Sequence, residues 1–348
     1  MSNHINPLYS FASMAEFMRE PVKTIGRWFH WDVVERPVIV GNDDDESTYT
    51  NGAPNVITAP KYKAIVRTNG NSAEDKLLHI APSSYEVITN SQFEDIIADY
   101  EQIGCEYIEH GTFNDGRQLW CQLESKLLAP WLIGGVDEGK TKVTLLTSHN
   151  GTLALKMVLI MERMFCQNQL PMLTRASDVG FVIKHTASAK DKISIARKQI
   201  HAIGALAHRA VESFRLLNVT PINQSDNEKF FAELFGLKKE IRITMVNGVE
   251  VPSREPEYSG KALKMLEALE DAYRSPLQSD LSHNAWRLLN AITYYVDHHP
   301  HIRESRREKG YAMIGTGAHK KRQAYDKLMT LALANKPGNG WEPSGLIQ

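Results

Sequence analysis

The chain has 348 residues, 42% of them hydrophobic and 8% aromatic, which excludes a disordered polymer and leaves room for one large or two ordinary folded domains. Lys and Arg number 40 against 41 Asp and Glu, so any nucleic-acid surface has to be a local patch and not a global field. Three cysteines, Cys105, Cys121 and Cys166, match no zinc spacing and read as reduced thiols. No signal-peptide pattern follows Met1 and no apolar run reaches membrane-spanning length, so the expectation is a cytoplasmic protein with no membrane contact.

Residues 1–60 form an irregular N-terminal segment. Ser13 and Glu16 stand at capping-box spacing, Trp28-Phe29-His30-Trp31 opens an aromatic strand running to Val40, and Asp43-Asp44-Asp45-Glu46 reads as a solvated loop. A core of sheet and helix is expected over 61–220. Residues 62–67 and 77–81 make a strand pair around Asn69-Gly70. Asn90 or Ser91 then caps a helix to Ile103 with Phe93, Ile96, Ile97 and Tyr100 on one face.

Residues 105–113 and 117–124 form a hairpin around Asn114-Asp115-Gly116. One face carries Ile108, Leu119, Cys121 and Leu123. The other carries Tyr107, Glu109, Gly111, Phe113, Gln118, Trp120 and Gln122. Aromatics interleaved with small polar groups make a base-stacking platform, since every base has a π-face. The alternative is that another element covers this face.

Residues 141–170 are the centre of the sheet. Two apolar runs flank His149-Asn150-Gly151-Thr152, and a two-residue type I′ turn at Asn150-Gly151 pairs Leu146 with Leu155, Leu145 with Lys156 and Val143 with Val158. A strand apolar on both faces is buried on both.

After a short strand at 181–185 the longest helix is expected over 189–217. Ile193, Ala196, Ile200, Ile203, Ala207, Val211 and Phe214 form its core stripe. At 100° per residue Lys190, Arg197, His201, His208 and Arg215 fall within about forty degrees of one another on one flank. Lys198 and Arg209 lie on the outer face. A basic seam beside a buried face suits a groove where phosphates run, or equally a solvated flank.

Residues 221–334 are mostly helical: helices over 227–235, 260–274, 282–296 and 318–333, with a hairpin around Asn247-Gly248. Residues 335–348 read as a tail. Asp297, His298 and His301 form the densest titratable cluster and offer an alternative, metal-dependent reading. Adjacent imidazoles at a helix end diverge, however, and Pro300 breaks the spacing a helical zinc site uses. Gly315-Thr316-Gly317-Ala318-His319-Lys320-Lys321 opens the last helix, where backbone N–H groups hold phosphate oxygens or the glycines serve a tight turn. It is not a Walker A motif, and no nucleophile elbow is present.

Ser148-His149-Asn150-Gly151-Thr152 with Cys166-Gln167-Asn168, the segment from Trp286 through Asn290-Ala291 to Asp297-His298, and the turn at Gly315 together resemble the signature of the phage and plasmid protein family known as domain of unknown function 932. The order of elements, a β-meander followed by a helix, is also similar to RecT- and Erf-type single-strand annealing proteins. The fold class expected is α+β, with antiparallel hairpins packed on a long amphipathic helix and a helical C-terminal part. That second resemblance implies an oligomeric, cofactor-free protein of a bacterial host's cytoplasm that binds single-stranded DNA and anneals it without ATP. The phosphate contacts expected are Lys190, Arg197, Lys198, His201 and Arg209, with Lys156, Trp120 and Lys320 beside them.

Overall fold

The computed structural model describes residues 27–41, 49–50, 53–54, 56–126, 128–164, 168–172, 181–189, 191–193, 203–241, 243–247, 249–253, 255–299 and 310–335. In chain order they form β1 (Asp32–Gly41), β2 (Tyr49–Thr50), β3 (Ala53–Pro54), β4 (Val56–Thr68), β5 (Lys76–Pro82), α1 (Asn90–Gln102), β6 (Cys105–Phe113), β7 (Gln118–Ser125), β8 (Trp131–Ile133), β9 (Asp137–Ser148), β10 (Leu155–Arg163), β11 (Gln169–Met172) and β12 (Val182–Ile183). There follow α2 (Ile203–Val219), α3 (Asn227–Phe235), β13 (Lys239–Glu240), β14 (Ile243–Val246), β15 (Val249–Pro252), β16 (Glu257–Tyr258), α4 (Gly260–Arg274), α5 (Ala285–His298) and α6 (Thr316–Ala334).

The architecture is α+β. A seven-stranded antiparallel sheet runs β11-β10-β9-β7-β6, with β12 on β10 and β8 on β9, and a three-stranded sheet runs β1-β4-β5. Every residue of β9 from Thr141 to Ser148 is buried, the polar ones included. One continuous hydrophobic core reaches from Trp28 to Ala332. At its centre Phe214 of α2 lies 4.5 Å from Trp286 of α5 and 5.8 Å from Trp131 of β8.

Of the long helix expected over 189–217, helical residues are described at 189, at 191–193 and in α2. Ile203, Ala207, Ala210, Phe214 and Leu217 are the buried stripe of α2. Lys190, Arg197, Lys198 and His201 lie outside the described residues.

Three local readings are corrected. The β9–β10 register is one residue away from that of a two-residue turn: Leu146 pairs with Lys156, Leu145 with Met157 and Val143 with Leu159. Side chains close this connection. Ser148 Oγ donates to Leu153 O (2.8 Å) and accepts from Leu153 N (2.9 Å), while Asn150 Oδ1 accepts from Thr152 Oγ1 (2.6 Å). Such side-chain turns compete with the tight backbone turn, and positive φ is needed only at Gly151 (69°).

The second correction is a bulge between Tyr107 and Glu109. It moves Tyr107 to the face of Leu123, where its ring stacks on Trp28 at 5.9 Å. The third concerns α1, which is capped by Thr89 with Gln92 completing the capping box. Asn90 is thereby released. Its Nδ2 donates to Trp31 O (2.7 Å), which turns Oδ1 to His149 Nε2 at 2.8 Å and assigns the imidazole proton to Nε2.

Candidate nucleic-acid interface

Alternation along β6, β7, β9 and β10 sorts the main sheet into two faces. Leu119, Cys121, Leu123, Val143, Leu145, Met157 and Leu159 enter the core. The opposite face is read row by row across the strands. Gly111, Trp120, Leu146 and Lys156 stand on one row, and Glu109, Gln122, Thr144 and Val158 on the next. Glu124, Lys142 and Ile160 follow, then Lys140, Glu162 and Gln169.

The row headed by Trp120 holds the aromatic end. A Cβ on Gly111 would stand 2.8 Å from the indole, so the absence of a side chain there lets the ring lie against β6. Phe113 stacks on the same indole at 6.0 Å and 22°. At the row's other end, two strand spacings or about 10 Å away, Lys156 is half-buried. Burial pushes its ammonium below the usual lysine range, and among the described residues no carboxylate pairs with it. Trp120 and Lys156 therefore share one face and one row.

The other lysines of this face are matched. Lys142 Nζ is 2.8 Å from Glu162 Oε1, Lys140 is 3.2 Å from Glu124, and Gln169 Nε2 donates to Glu162 at 3.2 Å. Between the charged and aromatic ends lie Gln122 and Thr144, both fully buried. Among the described residues neither the Gln122 amide nor the Thr144 hydroxyl has a hydrogen-bond partner. Glu106 and Glu109 on β6 are exposed, so negative charge gathers at the β6 edge of this face.

The centre of this face is covered. Met313 and Ile314 pack on Leu146, Val158 and Ile160. They belong to a turn in which the N–H groups of Met313, Ile314 and Gly315 all donate to Gly310 O. The glycines of the following motif answer to packing: a Cβ on Gly317 would stand 2.7 Å from both Tyr311 and Val296. The Ala318 N–H of this helix start donates to Tyr311 O.

Other expected site residues lie elsewhere. Lys320 donates to Leu234 O and lies over the Phe235 ring, so its charge serves the α3–α6 contact. Arg209 is half-buried on α2. Asp297 is fully engaged: Oδ1 accepts from Lys321 Nζ (2.6 Å) and Oδ2 from Gln169 N (2.8 Å). His298 packs against Tyr294, and His301 lies outside the described residues. Among the described residues no group of three His, Cys, Asp or Glu is placed to hold a metal.

The signature residues, scattered in sequence, meet in two places. Around His149, the Ser148 carbonyl accepts from Tyr85 OH (3.1 Å), and Tyr85 stacks on His185. Around β11, Asn168 donates to Asn290 O (3.1 Å) beside the Lys321–Asp297 pair. This second junction had no spacing signal in the sequence, because its members come from three separate segments. Comparison with curated proteins and with solved structures gives no match. A family model described as Domain of unknown function (DUF932) matches residues 78–314; the stretch contains the sheet, the His149 connection and Asp297, and the chain belongs to that family.

Proposed function

We propose that the chain binds single-stranded DNA at the parts of this sheet face left open beside the Met313–Ile314 turn, where Trp120 and Lys156 stand half-buried, and that it promotes annealing of complementary strands without nucleotide hydrolysis. The observation that carries the reading is the pairing, on one cross-strand row, of a half-buried indole with a desolvated ammonium that has no carboxylate partner among the described residues. An unpaired, poorly hydrated cation is costly to the fold and favours an anion. A stacking surface beside it accepts any base. Annealing needs no bond-making step; it needs many weak contacts that leave base edges open.

The test is fluorescence anisotropy with labelled single- and double-stranded oligonucleotides across a salt series, beside a two-strand energy-transfer assay without ATP. Single strands are expected to bind more tightly and annealing to accelerate. Trp120→Ala should weaken single-strand binding roughly tenfold, and Lys156→Gln should reduce the salt slope by about one. Equal, salt-independent binding of both forms, or an unaffected Trp120→Ala variant, overturns the reading.

A further inference from the structure

β14 and β15 form a sheet of their own, and a two-stranded hairpin by itself is marginal in water. The register Ile243–Pro252, Met245–Glu250 and Val246–Val249 puts Ile243 and Met245 on one face and Val246 on the other. Their exposures are 64%, 65% and 51%. None of the three joins either hydrophobic core. A strand with apolar residues on both faces is ordinarily covered on both, and nothing among the described residues covers this one.

A surface of matching chemistry lies elsewhere on the same chain. In the β1-β4-β5 sheet, Val33, Ile65 and Ala81 turn into the core. The opposite face carries Tyr62, Leu77 and Ile80 at 52%, 49% and 48% exposure. Tyr62 pairs with Pro82, Ala64 with Ile80 and Val66 with Leu77, so these side chains share that face. β5 is an edge strand, open on the side away from β4.

We propose that the β14–β15 hairpin is an arm that docks on the Tyr62–Leu77–Ile80 face of a second copy of this chain. Area selects a second copy. Each patch presents on the order of 300 Å² of apolar surface, within the range of functional patches on monomers. The arm seated on the sheet face covers both, and with their rims approaches the roughly 1,000 Å² of a specific interface. Glu255 and Glu257 are exposed at the arm's base, where Lys239 is held over the Tyr258 ring and Lys238 is exposed beside Glu240; Lys61 is exposed beside Tyr62, while Lys76 is held by Asp115. Two copies can exchange arms about a two-fold axis into a closed dimer, or pass them head to tail into a ring or a filament.

Sedimentation velocity of the full chain without nucleic acid tests this over a concentration series. The wild type should sediment above the 39.3 kDa monomer. An arm variant (Ile243→Asp with Met245→Asp) and a face variant (Leu77→Asp with Ile80→Asp) should each be monomeric, with wild-type circular dichroism. Mixed one to one they should form a two-copy species, because one intact arm and one intact face remain. If the face pair loses its fold, Tyr62→Asp alone repeats that arm of the test. A wild type that stays monomeric, a face variant that assembles like the wild type, or a mixture that stays monomeric overturns the proposal. Each result is read without DNA, so it leaves the strand-binding proposal to its own test.

Discussion

Lys321 Nζ lies 2.6 Å from Asp297 Oδ1 and 2.5 Å from the Gln169 carbonyl oxygen, and the lysine is completely buried. Burial pulls its ammonium well below the usual lysine range, and Asp297 opposes that shift. The pair ties the start of α6 to the end of α5 and to β11. Removing one partner strands the other in a dry site, at a cost of about 3–5 kcal/mol. Lys321→Met and Asp297→Leu should each lower the free energy of unfolding in urea by that amount. The double variant should lose much less than the sum, because no uncompensated charge remains. Additive losses would mean that the two groups do not interact.

His149 gives the fold a dependence on acid. Burial holds its imidazole down to about 3 from an ordinary 6.5, with His185 adding to the shift. A folded-state pKa below the unfolded one means that the unfolded chain binds the extra proton. Stability from this group is therefore complete above about pH 6.5 and is lost as pH falls toward 3. His185, stacked on Tyr85, is shifted the same way by burial. The wild type should lose a few kcal/mol across that window in urea titrations. His149→Gln should begin less stable at pH 7 and lack most of that slope.

Local pattern read best where local chemistry decides. Asn227–Phe235 and Gly260–Arg274 form helices with the boundaries their periodicity and flanking residues predict. At the hairpin expected around Asn114-Asp115-Gly116 all three residues take positive φ (52°, 60° and 88°), which Asn, Asp and Gly tolerate. Reading failed where a side chain replaced a backbone pattern: Ser148 and Asn150 rebuilt the β9–β10 connection, and one extra residue near Ile108 turned Tyr107 over. The site divides on the same line. Trp120 and Lys156 were legible as residue types, but their common row depends on a register set by that connection. Nothing local announces that Lys321 reaches Asp297, because the contact joins two helices 24 residues apart.

Lys156 sets stability against binding. Its ammonium is desolvated and has no ion-pair partner among the described residues, so at neutral pH it weakens the fold. Lys156→Met keeps the apolar stem and removes the charge. It should raise stability by about 1 kcal/mol near pH 7 and weaken single-strand binding. The gain should shrink as pH rises through the lysine range, since the wild-type amine becomes neutral there. A variant less stable than the wild type at pH 7 would show that Lys156 already has a favourable partner.

Gly111 controls the posture of Trp120. A methyl group there would meet the indole at 2.8–2.9 Å, closer than side-chain carbons tolerate, so the ring has to lift away from β6 and from Phe113. The indole is only half-buried and has room to move, so Gly111→Ala should cost no more than about 1–2 kcal/mol of stability. Single-strand affinity should nevertheless fall about as far as in Trp120→Ala, with the loss read from quenching of indole fluorescence during oligonucleotide titration. Gly204→Ala is the control: a Cβ there meets nothing within 4 Å, and the change should stabilise α2 by roughly 0.5–1 kcal/mol without touching affinity. A Gly111→Ala variant that binds like the wild type would separate the indole's posture from binding and remove Trp120 from the interface.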